Sequence, residues 1–225
     1  MKTLTLFFLL ILSGIIYSQD FDNLANAAVN KDINAVDSLL NAGIDIDVTG
    51  EDGGATVLLL ASSYKDYDDV VSLLISRGAD VNFKGKDGRT PLMWAAGNSL
   101  ETTKLLLDNG ADVKAKGDDG MTAFIQSAFG ILSKKVDTEV MDLLLENGAD
   151  INSALKGKDA AGWTALLFAA VNGDVELAEY LISHGANVNH TSDEGSTALS
   201  LARQEKYKEL VSLLKAHGAR LINLI

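Results

Sequence analysis

The chain has 225 residues, 47% of them hydrophobic, with 20 glycines, one proline and no cysteine. That composition excludes disordered and collagen-like classes, and the absence of cysteine excludes disulfides and a lipid-bearing cysteine. A formal net charge of −12 argues against nucleic acid and anionic lipid as partners, because both call for a positive footprint.

Residues 1–18 read as a unit of their own. Lys2 supplies a small positive start, and the run from Leu6 to Ile16 is apolar apart from Ser13 and Gly14. A bilayer crossing takes about 20 residues, so this run is too short for one. Small Ser18 followed by polar Gln19-Asp20 predicts a signal peptide cleaved before Gln19. The mature chain is then periplasmic or secreted, and its 18 basic and 31 acidic residues give a net −13. The competing reading is an uncleaved N-terminal anchor; the intact mass of the mature chain separates the two.

From residue 20 onward the chain repeats itself. The first unit, 20–49, holds one apolar block closed by glycine, Val36-Asp-Ser-Leu-Leu-Asn-Ala-Gly43, with Asp22 and Asn23 placed to cap an opening helix. After it a threonine opens the same phrase five times, at Thr56, Thr90, Thr122, Thr164 and Thr197, in steps of 34, 32, 42 and 33 residues. Such a period marks a stacked array and not a single core. The phrase predicts a short helix with the threonine as N-cap, and at Thr90 the only proline, Pro91, takes the first helical position, where its missing N–H costs least. Each phrase is followed by a second apolar block at helical spacing that ends in Gly78, Gly110, Gly148, Gly185 or Gly218. Glycine just past a helix is a left-handed stop. Next comes Ala-Asp-Val-Asn or a near variant, in which one β-branched residue among turn formers predicts an extended arm folding back on itself.

With Thr90-Pro-Leu92, the Gly-Ala-Asp-Val block and a period near 33, the chain resembles the ankyrin repeat family over about 20–225. The resemblance implies an all-α solenoid of helix-turn-helix repeats with projecting β-hairpin arms. Its six repeats fall at about 20–49, 50–84, 85–116, 117–156, 157–191 and 192–225, the outer two serving as caps, and Leu221 to Ile225 lies back over the last. Two departures stand out. The histidine that such repeats carry after Thr-Pro-Leu is replaced by Leu59, Met93, Ile125, Leu167 and Ser200, which removes a hydrogen-bond network. The 42-residue step holds two insertions, around Phe129–Thr138 between the helices and around Ser153–Ala161 in the arm; insertions in a solenoid fall in loops, often on a binding face.

Catalytic patterns are missing from the sequence: there is no Gly-x-Ser-x-Gly, P-loop, Cys-x-x-Cys or His-Glu-x-x-His, so no cofactor and no metal is expected. His184 and His217 precede helix-ending glycines, where an imidazolium complements the helix dipole. Asp45-Ile-Asp47 begins like a calcium loop, but its twelfth position is Thr56 and not glutamate. Asn189-His-Thr191 is a glycosylation acceptor only in a eukaryotic secretory route. The arm lysines, Lys84, Lys86, Lys114, Lys116, Lys156 and Lys158, read as solvated tips or as a patch for an acidic partner.

The resemblance implies binding through the concave surface of arms and first helices. The positions it exposes are Ala55, Arg89, Met121, Trp163 and Ser196 before each threonine, and Leu60, Trp94, Gln126, Phe168 and Leu201 in each phrase. Arg, Trp and Met anchor interfaces most often, so Lys86, Arg89, Trp94, Met121, Gln126, Trp163 and Phe168 are the candidate contacts. The tryptophan before a threonine has an alternative use, packing between arms. The expected function is non-enzymatic protein binding by a monomer, with inhibition of or immunity to an exported enzyme or toxin as a sharper variant. Rival readings are an enzyme built on the insertions with Asp137, Glu139 or Asp159, and a calcium- or glycan-binding surface protein.

Overall fold

The computed structural model describes residues 19–50, 54–158 and 160–220. The signal segment, the closing Leu221–Ile225 and Asp159 lie outside the described residues.

The chain alternates inner and outer helices. The inner layer is α1 (19–29), α3 (Val57–Ser62), α5 (Pro91–Ala96), α7 (Ala123–Leu132), α9 (Ala165–Asn172) and α11 (Ala198–Gln204). The outer layer is α2 (Ile33–Asn41), α4 (Asp68–Ser76), α6 (Leu100–Asp108), α8 (Glu139–Glu146), α10 (Val175–Ser183) and α12 (Lys208–Ala216). Among the described residues the secondary structure is helical apart from one isolated bridge between Thr49 and Thr56. Inner helices pack on inner helices of the next repeat, from α3 to α5, α7, α9 and α11. The core is therefore a ribbon along the stack. Each later outer helix contributes a leucine four residues before its terminal glycine, and Leu74, Leu106, Leu144, Leu181 and Leu214 are all 0% exposed. Burial of such a side chain stabilises by about 2 kcal/mol.

Helix ends follow the sequence pattern with one informative gap. The terminal glycines have φ between 83° and 97°, and the residue after each donates to the leucine carbonyl five positions back, as Ala79 N–H does to Leu74 O at 3.1 Å; this satisfies an otherwise orphaned carbonyl. Thr56, Thr122 and Thr197 accept from the N–H of Leu59, Ile125 and Ser200. Thr90 and Thr164 make no such bond, and the Thr90 hydroxyl is buried with no partner. Met93 stands where a histidine could have met it. A buried hydroxyl left unpaired costs about 1–3 kcal/mol. Thr90→Val should therefore leave stability unchanged or raise it by up to about 1 kcal/mol, while Thr56→Val loses a cap worth about 1 kcal/mol; paired urea denaturation curves check the contrast.

The arms are tight turns closed by one rung each and carry no strand ladder. Gly85, Gly117, Leu155 and Ser192 donate to the carbonyls of Arg89, Met121, Trp163 and Ser196, each at 2.9 Å. In the arms at 85–89, 117–121 and 192–196 so few residues lie between the bonded pairs that a second rung has no room. The tips bond to the next arm instead, Asp118 N–H to Asp87 O at 3.0 Å, Lys156 to Asp119 at 2.7 Å and Asp193 to Ala161 at 3.1 Å. At the arm bases a second ladder runs through side chains: Asp47, Asn82, Asn152 and Asn189 accept from the N–H of Asp80, Asp112, Asn187 and Arg220. Lys114 takes this position in the third repeat and cannot accept. Lys114→Asn should join repeats 3 and 4 and raise the denaturation midpoint by the equivalent of about 1 kcal/mol; an unchanged midpoint would count against the ladder as a source of stability.

Both insertions sit in repeat 4 and its arm. Thr122 and Gly148 are 26 residues apart where Thr90 and Gly110 are 20. The extra residues lengthen α7 to 10 residues, against six for α3 and α5, then turn at Lys134 with φ 57°. In the arm, Leu155 takes the place of Gly85 and Gly117, and the longer turn closes at Gly162, whose N–H donates to Leu155 O at 2.8 Å.

Candidate partner-binding face

The arms and inner helices bring the candidate side chains of repeats 3 to 5 onto one face. Arg89 organises its first half. Its Nε lies 3.1 Å from Asp87 Oδ2 and its Nη2 2.9 Å from Asp119 Oδ2, Nη1 donates to Gln126 Oε1 at 3.3 Å, and the guanidinium lies 5.5 Å from the centre of the Trp94 ring. With its side chain 19% exposed, it clamps repeat 3 to repeat 4 from the inner side. A rigid guanidinium fork suits such multiple donation. Arg89 thus fixes Trp94 and Gln126 in place.

The second half is aromatic. Trp163 and Phe168 have ring centroids 5.0 Å apart, and Phe168 and Phe129 4.6 Å, both pairs tilted, a geometry favoured by ring quadrupoles. Beneath them lie Met121, Ile125 and Leu155 at 5%, 0% and 8% exposure, with Ala160 packed alongside. Met121 is accordingly a support under the face and not part of its surface. The reason is the arm insertion, which brings Leu155 and Ala160 over it. Trp163 also packs against the main core, the packing use open to it in the sequence. Lys86 is exposed at the flank. Phe129 was not among the candidates; its spacing of three from Gln126 on a lengthened helix is the signal that would have placed it on the same face.

Side chains noted for other chemistry have structural work. Asp45 accepts from Asp47 N–H at 3.1 Å, and Asp47 from Asp80 N–H at 3.0 Å, so both carboxylates are spent on a turn and on the ladder. His184 and His217 follow their helices directly as C-caps, and His184 Nδ1 lies 2.8 Å from Tyr180 O. His190 Nε2 joins its arm to Gly162 O at 2.7 Å. Asn189 donates to Gly218 O and accepts from Arg220 N–H, so a glycan there would break the ladder. Asp137 and Glu139 line an open cleft with Asp66, Asp68 and Glu101, and among the described residues no group of three or more His, Asp or Glu is placed to hold a metal ion. No described helix is long and apolar enough to cross a membrane.

Helix pairs stacked in register, with arms on one edge and a continuous inner face, define a repeat solenoid. The family profile described as ankyrin repeats in three copies matches at residues 24–117, 58–154 and 129–223. The ankyrin repeat protein YahD of Escherichia coli is 32% identical over 198 residues, 86% of this chain and 94% of that protein. Human protein phosphatase 1 regulatory subunit 27 is 43% identical over 77 residues, 34% of this chain and 47% of that one, and a Rickettsia bellii ankyrin repeat protein is 26% identical over 181 residues, 80% of this chain and 39% of that one. The chain belongs to the ankyrin repeat family. Ankyrin repeats are in general protein–protein interaction modules.

Proposed function

We propose that this chain is an exported, non-enzymatic ankyrin array that binds a protein partner through the concave face of repeats 3 to 5. The observation that carries this reading is the convergence of Trp94, Trp163 and Phe168 on one face, with Arg89 immobilised between two carboxylates, an amide and a ring. Aromatic anchors held in fixed rotamers lose little conformational entropy on binding. Export rests on the sequence of residues 1–18, and a mature chain beginning at Gln19, seen by intact mass, is the expected outcome.

The test of the face uses the mature protein as bait in the envelope fraction of its own cell. Trp94→Ala combined with Trp163→Ala should reduce capture of the partner by about 30-fold or more, with the helical circular dichroism spectrum retained. Undiminished capture by a folded double variant would show that the partner binds elsewhere.

A further inference from the structure

On the three arms that carry Arg89, Met121 and Trp163 the charges run against those of the whole chain. The outer parts of the three arms concerned, 83–89, 115–121 and 154–163, carry by sequence six cations, Lys84, Lys86, Arg89, Lys116, Lys156 and Lys158, and four carboxylates, a local net of +2 within a mature chain at −13. The carboxylates nearest the face are engaged: Asp87 and Asp119 both meet Arg89, and their second roles are to accept from the N–H of Arg89 and Met121. The lysines are exposed, and among the described residues none of the five lies within 4.0 Å of a carboxylate. Lys156 and Lys158 ride on the inserted turn that Leu155 and Gly162 close, directly before Trp163, and the Lys156 N–H ties this turn to the preceding arm by donating to Asp119 O at 2.7 Å. The insertion thus carries two solvated cations to the edge of the aromatic group that its own Leu155 and Ala160 help to build.

Building on the concave-face reading, we propose that the partner presents an acidic segment: an apolar or aromatic anchor seated on Trp163 and Phe168, flanked by carboxylates that meet Lys86, Lys116, Lys156 and Lys158. Exposed lysines beside a fixed apolar platform steer an oppositely charged segment and set its register, while the platform supplies most of the affinity. The remaining acidic surface repels a nucleic acid of the same charge sign.

The probe is a displayed library of random 12-residue peptides selected on the mature protein, after which one enriched peptide is titrated by fluorescence anisotropy. Enriched peptides should be net negative around an apolar anchor. Lys156→Glu with Lys158→Glu should weaken the titrated peptide about 10-fold and flatten its salt dependence, whereas Lys206→Glu with Lys208→Glu on the terminal repeat changes it less than about 2-fold. Trp163→Ala with Phe168→Ala should weaken it about 30-fold or more. Neutral or basic enriched peptides, equal effects of the two lysine pairs, competition by a single-stranded oligonucleotide, or no enrichment at all would each overturn the acidic assignment. Loss of the aromatic pair without effect would instead overturn the concave-face reading beneath it, so the two failures are distinguishable.

Discussion

Phe124→Ala should lower stability by about 4 kcal/mol and divide one unfolding transition into two. Phe124 is 1% exposed in α7 and is among the largest fully buried side chains of the main core. In a solenoid each repeat touches only its neighbours, so stability is a sum of repeat and seam contributions, and loss at a central repeat uncouples the two sides. Repeat 4 is the place where this chain tolerates such a loss least. At its seam with repeat 3 the side-chain ladder is interrupted by Lys114. At its seam with repeat 5 the insertion loop and α10 border an open cleft of about 610 Å³, lined by Lys134, Thr138, Asp174 and Tyr180 among others. The Tyr180 hydroxyl spans from α10 to α8 by donating to Asp142 Oδ1. Burial, then the hydrogen bond and charge of Asp142, raise the Tyr180 hydroxyl well above the usual tyrosine range, so the strut keeps its proton in alkaline solution where a free tyrosine would lose it. Trp94 in repeat 3 and Trp163 at the start of repeat 5 report on the two sides. Fluorescence of single-tryptophan variants in urea should show separate midpoints in the Phe124→Ala background and coincident ones in the parent; coincident midpoints in both would mean that the array does not divide at repeat 4.

Much of this architecture is legible in the sequence because each device is local. A threonine before an apolar phrase, a glycine after a leucine-rich block and a single proline at the first helical position each state where a helix starts or stops, and the period says that the units stack. The arms were less legible. A lone valine among turn formers suggests a hairpin, but whether one rung forms or several depends on the next arm, which takes the tip carbonyls for itself. The face was legible as a register of positions but not as a surface. Met121 occupies the same place as Arg89 and Trp163, and it lies beneath Leu155 and Ala160 because the insertion in the following arm folds back over it. Arg89 likewise reads as an exposed interface arginine until Asp119 and Gln126, a full repeat away, are seen to hold it. Position within one repeat predicts backbone; contacts between repeats decide exposure.

The same distinction predicts the behaviour of Gly130. A glycine inside a helix is about 1 kcal/mol less favourable than alanine, so on local grounds Gly130→Ala should stabilise α7. Between repeats the answer reverses. A Cβ at Gly130 would stand 2.7 Å from the carbonyl oxygen of Gly97, 2.7 Å from Val136 Cγ2 and 2.9 Å from the Gly97 Cα. Two of those three atoms are backbone at the C-cap of α5 and cannot turn aside as a side-chain end would. Relief requires α7 to move away from α5, and overpacking of this kind costs about 1–3 kcal/mol, more where backbone must shift. We expect Gly130→Ala to be destabilised by about 2 kcal/mol net, read from urea midpoints. The shift should also reach the face, because α7 carries Gln126, which meets Arg89 at 3.3 Å, and Phe129, which meets Phe168. Partner capture should therefore fall along with stability, and it should fall even at temperatures where the variant remains fully folded. A variant as stable as the parent, with its capture undiminished, would show that the close approach of Gly130 to Gly97 sets neither the packing of repeats 3 and 4 nor the shape of the face.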